Sequence, residues 1–323
     1  MRKKMTPKGL WRIIKEAASG FDDDKILKLS ASLAYFTVFS IGPMIIIVIF
    51  LADLFFRREA IEGSIYGQIK GLVGPDAAVQ VQDMIRNAAI SGKSTLTAII
   101  GFGTLLIGAT GVFAEIQDSI NTIWGLKPKP KKGWLKMLLN RLLSFSVVVS
   151  LGFLLMVSLV INALIEALSG RLKIMFPDLA VTVTYIINLV ITFGVISLLF
   201  AIIFKVLPDA IIKWRDVMTG AMATAVLFML GKFAITFYIG SSNVGTTYGA
   251  AGSLVVLLLW VYYSSVILYF GAEFTKAYAA EYGTRIRPND YAVWIKHVEV
   301  EKEGGALHQQ DLKKETVETG TKV

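Results

Sequence analysis

The stretch that decides the fold is residues 217–272, VMTGAMATAVLFMLGKFAITFYIGSSNVGTTYGAAGSLVVLLLWVYYSSVILYFGA, in which Lys232 is the only charged side chain. An α-helix needs about 20 apolar residues to cross the hydrocarbon core of a bilayer. The stretch is long enough for two such helices, joined by the uncharged, glycine-rich segment 242–253. It therefore predicts a pair of membrane-spanning helices near 217–239 and 251–273.

Earlier parts of the chain repeat the same signal. The sequence is 54% hydrophobic with a mean hydropathy of +0.61, far above the norm for a soluble domain. Four further charge-free intervals predict spans near 29–54, 94–114, 142–165 and 180–204. We expect an all-α polytopic membrane protein with six transmembrane helices. Its predicted parts are a cytoplasmic amphipathic segment, a six-helix transmembrane domain and a cytoplasmic polar tail, at 1–28, 29–273 and 274–323.

The distribution of lysine and arginine predicts the orientation. With six spans, 25 Lys and Arg residues fall on the side of the two termini and 7 on the opposite side, Lys232 excluded. Positively charged loops stay cytoplasmic, so both termini are expected in the cytoplasm. The first apolar run begins at Leu29 and has full span length, as in an uncleaved signal-anchor. The net charge of +9 then reflects this rule and attraction to anionic lipid headgroups, and requires no nucleic-acid partner.

Three segments between the spans look amphipathic at helical spacing. KGLWRIIKEAASGF, at 8–21, suits a helix lying in the inner interface, with Leu10, Trp11, Ile14 and Ala18 on one side and Lys8, Arg12 and Lys15 on another. FAEIQDSINTIW, at 113–124, is expected to continue the second span along the membrane, its apolar stripe opposite Glu115, Gln117, Asp118 and Asn121. Residues 59–92 predict a small helical cap on the outer side.

Several apparent catalytic signals fail on chemical grounds. The absence of cysteine excludes disulfides, thiolate metal sites and cysteine nucleophiles. GKST at 92–95 lacks the first glycine of a phosphate-binding loop, because that position is Asn87. The run Asp22–Asp24 is better explained as a helix-start or solvated run than as a metal site. His297 and His308 lie in the polar tail without clustered carboxylates. We therefore predict no enzymatic activity, no cofactor and no metal.

Two features inside the first and fifth spans point to a substrate site. Pro43 removes a backbone donor near the middle of the first span, and Gly42 lets a neighbouring helix approach, so a kink is expected for packing or for gating. Lys232 lies within a span, where an ammonium costs several kcal/mol unless it reaches water, a carboxylate or an anionic ligand. Asp53, near the outer end of the first span, is its expected protein partner, and a lipid phosphate its expected ligand.

The uncharged segment between the last two spans completes the predicted site. Charges would hold such a segment in bulk water, and their absence lets it fold back into the outer mouth of the bundle. Non-helical backbone at membrane depth needs polar partners, which Asn243, Thr247 and Tyr248 supply, and Gly249 gives the chain room to turn. We expect this segment to line a cavity. The alternative is an ordinary hairpin whose glycines only make a tight turn.

The sequence resembles the YihY/virulence factor BrkB family of multi-pass inner-membrane proteins over about residues 8–285. The matching stretches are LAYFTVFSIGP at 33–43, GATGVFAEIQDSINTIWGL at 108–126, LPDAIIKWRDVMTGA at 207–221 and YGAAGSLVVLLLWVYYSSVILYFGAEFTKAY at 248–278. The resemblance implies an all-α bundle of six transmembrane helices in a bacterial plasma membrane. Some members carry a ribonuclease BN label, and others are linked to serum resistance and envelope integrity. The residues here offer no nuclease chemistry.

Two functions from different classes fit these observations. The first is a transporter or envelope lipid-handling protein with a cavity for an amphipathic or anionic substrate. The second is a membrane-anchored interaction protein that supports envelope integrity without transport. The expected partners are membrane lipids, including anionic ones, and either a second copy of the chain or another envelope protein.

Overall fold

A computed structural model of the protein describes residues 6–38, 40, 111–129, 177–241, 248, 252–290 and 292–295. Within these ranges the chain forms helices α1 (Pro7–Asp23), α2 (Ile26–Val38), α3 (111–123), α4 (Pro177–Val206), α5 (Trp214–Ser241) and α6 (Gly252–Glu281). Four short strands accompany them: β1 (Leu126–Pro128), β2 (Ala210–Ile211), β3 (Arg287–Pro288) and β4 (Ala292–Trp294).

The described part of the chain contains three helices that are long and apolar enough to cross a membrane. They cover Tyr185–Val206, Trp214–Ile239 and Leu254–Glu281, and agree with the fourth, fifth and sixth predicted spans. The predicted spans at 29–54 and 94–114 lie largely outside the described residues. The span at 142–165 and the outer cap at 59–92 lie wholly outside them. The fold is therefore mainly helical, as expected, and six spans remain a prediction.

Helices α5 and α6 are interlocked by reciprocal glycine–threonine contacts. A Cβ atom at Gly220 would lie 1.9 Å from Thr275 Oγ1, and one at Gly271 would lie 2.1 Å from Thr224 Oγ1. Each threonine hydroxyl donates to a carbonyl oxygen of its own helix, at Gly220 or Gly271, over 2.8 and 2.7 Å. Because no side chain fits at either glycine, the backbones approach closely.

A row of aromatic rings continues the packing from α4 across α5 to α6. The ring centroids of Phe200 and Phe228 are 5.8 Å apart, and those of Phe228 and Trp260 are 5.9 Å apart, both edge to face. This is the geometry that the quadrupoles of aromatic rings favour. Around this row, buried residues of α2 to α6 form one apolar core.

Helix α3 lies in this core. Its apolar stripe is buried as predicted, but Gln117 and Asn121, which the sequence placed on a polar outer face, are buried as well. Asn121 is buried because it makes a two-way bond with Asp209: its Nδ2 donates to the carboxylate over 3.1 Å, and its Oδ1 accepts from the Asp209 backbone N–H over 2.8 Å. The predicted polar outer face is therefore wrong at Gln117 and Asn121, where Asp209 satisfies the Asn121 amide. The course of this segment along the membrane stays a prediction.

The strands close one end of the bundle, which we call the basal end. β1 pairs with β4 and β2 with β3, both antiparallel, so the chain after α6 folds back onto the α3 and α4 connections. Trp124 Nε1 donates to the Ala272 carbonyl over 3.1 Å, and the Asp216 carboxylate accepts both the backbone N–H and the hydroxyl of Thr284, each over 2.9 Å. Residues 282–290 and 292–295 are thus packed against the bundle. The opposite end, where α5 ends and α6 begins, we call the distal end.

Helix α1 docks along the basal end of α6. Thr6 caps its N-terminus by accepting the Gly9 backbone N–H, and Pro7 occupies the first turn. Its buried face consists of Gly9, Ile13 and Ala17. The sequence predicts two faces for this helix, an apolar one with Leu10 and Ile14 and a basic one. The buried face is a third, and it lies beside the predicted apolar face.

Candidate functional site

The described residues contain a cavity between the distal halves of α5 and α6. Its volume is about 170 Å³, and its lining is mostly apolar and aromatic. The lining residues follow helical spacing: Phe228, Gly231, Lys232 and Ile235 on α5, and Trp260, Tyr263, Ser264 and Ile267 on α6, with Ala234 and Tyr238 at the edge. Positions i, i+3, i+4 and i+7 form one face of a helix, so the cavity lies between two facing stripes.

Lys232 contributes the only ammonium group of this lining. It lies 18 residues after Trp214 and 9 before Ser241, which places it about 27 Å along α5 from the basal end by the helical rise. Its side chain is neither fully buried nor fully exposed. A long lysine side chain can bury its methylene groups against apolar neighbours while its ammonium reaches a polar partner. The site therefore combines an apolar surface with one positive charge.

The cavity opens where the contacts between α5 and α6 change in kind. Within its lining the rings of Phe228 and Trp260 meet edge to face. At Gly231 a Cβ atom would lie 2.5 Å from Ile267 Cδ1, so a side chain at this position would collide with the cavity lining. The hydroxyl of Ser264 donates to the carbonyl of Trp260 over 2.9 Å, which satisfies it within α6. A ligand in this space would meet aromatic rings, aliphatic side chains and one ammonium.

The predicted site residues are only partly within the described chain. Lys232 lines the cavity, and Tyr248 is described as a turn residue with 57% of its surface exposed. The remaining predicted site residues, Gly42, Pro43, Asp53, Asn243, Thr247 and Gly249, lie outside the described residues. Glu273, toward the basal end of α6, is paired with Lys276, with an Nζ to Oε2 distance of 3.3 Å.

Sequence analysis missed the aromatic lining of the cavity. Trp260, Tyr263 and Ser264 share the face of Ile267, and Phe228 shares the face of Lys232, a repeat that could have been noticed around the lysine. The repeat was concealed because both helices are apolar on every side, so no stripe stands out. The sequence also missed Asp209, Asp216 and Glu273 as buried polar groups of the basal end. Within the described ranges, no three His, Asp or Glu side chains are grouped to hold a metal ion.

Comparison with known proteins assigns the family. Residues 17–292 match the family described as Virulence factor BrkB. The chain is 29% identical over 269 residues to a UPF0761 membrane protein of Stenotrophomonas maltophilia, covering 80% of this chain and 59% of that protein. A UPF0761 membrane protein of Bordetella petrii is 29% identical over 270 residues, with 81% and 56% coverage. One of Xanthomonas axonopodis pv. citri is 28% identical, with 80% and 59% coverage.

These matches confirm the resemblance drawn from the sequence and move its limits. The matched region begins at residue 17 instead of 8 and extends to 292 instead of 285, so it includes the strands of the basal end. The chain spans less than three fifths of the length of these curated relatives. No solved structure matches it. Because the family match covers most of the chain and the relatives are membrane proteins, the chain belongs to the Virulence factor BrkB family and is an integral membrane protein.

Proposed function

We propose that this protein binds and transfers an amphipathic anionic substrate, such as a phospholipid or a fatty acid, through the cavity between α5 and α6. The observation that carries the proposal is the position of Lys232 in an otherwise apolar, aromatic lining in the distal half of α5. An ionisable residue within a membrane span marks a substrate or ion path more often than a structural contact. The apolar walls suit an acyl chain, and the ammonium suits a phosphate or carboxylate headgroup.

The remaining site residues enter the proposal as expectations. We propose that the Asp53 carboxylate and the substrate headgroup both interact with the Lys232 ammonium. We propose that Pro43 and Gly42 bend the first span beside the cavity. The segment with Asn243, Thr247, Tyr248 and Gly249 is proposed to cover the distal mouth. We place the protein in the bacterial plasma membrane with both termini in the cytoplasm, which makes the basal end cytoplasmic and the distal end external.

Lys232 can be tested directly in proteoliposomes. Purified protein is reconstituted, and transfer of a fluorescent anionic phospholipid between leaflets is measured together with the phospholipid retained on purification. A hydrogen bond to a charged group contributes enough free energy that Lys232→Gln should lower retention by about tenfold to a hundredfold. Lys232→Arg should keep most of the activity because it preserves the charge. Phe233→Leu, at the neighbouring exposed position, is the matched control. Full transfer and retention by Lys232→Gln would refute the proposed site.

Orientation can be tested with single introduced cysteines, because the chain has no cysteine of its own. Cysteines in place of Ser64 and Ser242 should react with an impermeant reagent added to intact cells. Cysteines in place of Thr6 and Thr316 should react only after lysis. Labelling of either terminal site in intact cells would reverse the proposed orientation.

A second function, interaction with an envelope protein without transport, is favoured by exposed apolar side chains at the basal end. Ile211, Trp214 and Trp294 are exposed beside the short strands and outside the charge-free core of the spans. Replacing Ile211 and Trp294 by serine should abolish crosslinking to such a partner while leaving lipid transfer intact. Loss of lipid transfer with the same replacements would instead tie this surface to the first function.

A further inference from the structure

Helix α1 has three faces with different surroundings. Gly9, Ile13 and Ala17 are buried against α6. Trp11, with 69% of its surface exposed, and Ile14, with 37% exposed, form a second, apolar face. Lys8 and Lys15 are exposed and lie three residues before and four residues after Trp11, which places both lysines next to the indole on the helix surface. One side of α1 is thus used for docking, and an aromatic and cationic side remains outward.

The docking contacts leave little freedom in the position of α1. A Cβ atom at Gly9 would lie 1.7 Å from the hydroxyl oxygen of Tyr282, the residue after α6, and one at Gly20 would lie 2.6 Å from Glu273 Oε2 of α6. Both glycines therefore pack directly against these side chains. The ring centroids of Phe21 and Phe270 are 6.3 Å apart. Two ion pairs add to these contacts.

The ion pairs join α1 to charged residues of α6. Arg12 pairs with Glu281. Just beyond the C-terminus of α1, Asp24 Oδ2 lies 3.1 Å from Lys276 Nζ. Arg12 is therefore engaged in an ion pair within the protein, whereas Lys8 and Lys15 are exposed.

The same contacts fix the depth of α1 relative to the bilayer. The charge-free part of α6 from Leu254 to Ala272 is about 28 Å long at the helical rise. That length matches the hydrocarbon core of a bilayer, about 30 Å. Glu273 and Lys276 consequently lie where the core gives way to headgroups, and α1, docked from Glu273 to Tyr282, lies at the level of the headgroups.

We infer that the outer face of α1, defined by Lys8, Trp11, Ile14 and Lys15, is a binding surface for anionic phospholipid of the adjoining leaflet. Tryptophan favours the headgroup level, and an isoleucine beside it reaches the boundary of the acyl chains. Lysines attract anionic headgroups at this level. In the proposed orientation this leaflet is the cytoplasmic one. The inference does not depend on the cavity or on transport.

The first test measures lipid affinity of the full-length protein in detergent, with phosphatidylglycerol as the probe and phosphatidylcholine as the neutral reference. The double variant Lys8→Gln/Lys15→Gln should bind phosphatidylglycerol about thirtyfold more weakly, since each lysine near an anionic surface contributes about fivefold. The control is Lys313→Gln/Lys314→Gln, which removes the same charge from the tail. Unchanged affinity in the first variant, or an equal loss in both, would overturn the inference.

The second test measures the depth of α1 without removing charge. A fluorescent label on Ile14→Cys should be quenched by a quencher carried on lipid tails in liposomes. A label on Ser19→Cys, beside Lys15 and farther around the helix from Ile14, should be quenched less by the tail-borne quencher and more by a water-soluble one. A label at position 14 that stays in water would assign this face to a soluble partner. Label-to-label quenching at position 14 in dilute liposomes would assign it to a second copy of the chain. Either result overturns the inference and leaves the test of Lys232 unaffected.

Discussion

The basal and distal halves of the α5–α6 pair are built on opposite principles. At the basal half, Gly220 and Gly271 each receive a threonine side chain of the other helix, and no space for a Cβ atom is left at either glycine. At the distal half, the rings of Phe228 and Trp260 meet edge to face in the lining of a cavity. A Cβ atom added at Gly220 or Gly271 would collide with a β-branched threonine close to its backbone. One added at Gly231 would collide with the tip of the Ile267 side chain. The same two helices are thus tightly packed at one end and enclose a cavity toward the other.

The largest effect is expected from Gly271→Ala. Its new Cβ atom would lie 2.1 Å from Thr224 Oγ1, 2.6 Å from Cγ2 and 2.9 Å from Cβ, so rotation of the threonine about χ1 cannot relieve the clash. The free energy of unfolding in detergent should fall by about 1–3 kcal/mol. Gly194→Ala on α4 is the control, because no heavy atom lies within 4 Å of its new Cβ, and it should be neutral or stabilising. Adding Thr224→Ala should recover part of the loss. Equal stability of the two glycine variants would break the comparison.

An intermediate effect is expected from Asn121→Leu at the basal end. The change removes the donor to the Asp209 carboxylate and the acceptor of the Asp209 backbone N–H while keeping the size of the side chain. Each lost hydrogen bond costs about 1 kcal/mol net and new apolar contacts offset part of this, so the free energy of unfolding should fall by about 1–2 kcal/mol. Thr122→Ala, at the next and exposed position, should change the free energy of unfolding by less than about 0.5 kcal/mol. Chemical denaturation of both variants decides whether the bond is structural.

The smallest effect on stability is expected from Gly231→Ala. The new Cβ atom meets only Ile267 Cδ1, the end of a flexible side chain, so the free energy of unfolding should fall by less than about 1 kcal/mol. Retention of anionic lipid should nevertheless decrease, because a methyl group would enter a cavity of about 170 Å³. Adding Ile267→Val should restore retention. A loss of stability as large as that of Gly271→Ala would show that the distal half is packed like the basal half.

Much of the membrane architecture in the described chain was predictable from sequence. The charge-free intervals predict most of the ends of α4, α5 and α6 to within a few residues. The exception is the C-terminal end of α6, which extends further than predicted, to Glu281. The basal end of α6 was underestimated because charges mark the end of an apolar run and not the end of a helix. Glu273, only 2% exposed, lies within the helix and pairs with Lys276 one turn further along it.

The site was predicted only in its charged member. Lys232 stands out because it is the single ionisable residue in a long apolar stretch. Its neighbours Trp260 and Tyr263 do not stand out, because both helices are apolar on every side. Hydrophobic periodicity therefore does not show which face of one helix contacts the other. Likewise, α1 was read as two-faced because its contact with α6 uses two small residues, Gly9 and Ala17, which carry little hydrophobic signal.

The sequence by itself determined that this protein is a helical membrane protein, where α4, α5 and α6 lie along the chain and which side is expected to be cytoplasmic. These properties depend on lengths of apolar chain and on counts of charge, which are local. Only the tertiary structure decided that Asn121 bonds Asp209 across 88 residues, that two- and three-residue strands close the basal end and that α1 rests on α6. Those contacts depend on which faces meet, and partners far apart in the chain determine them.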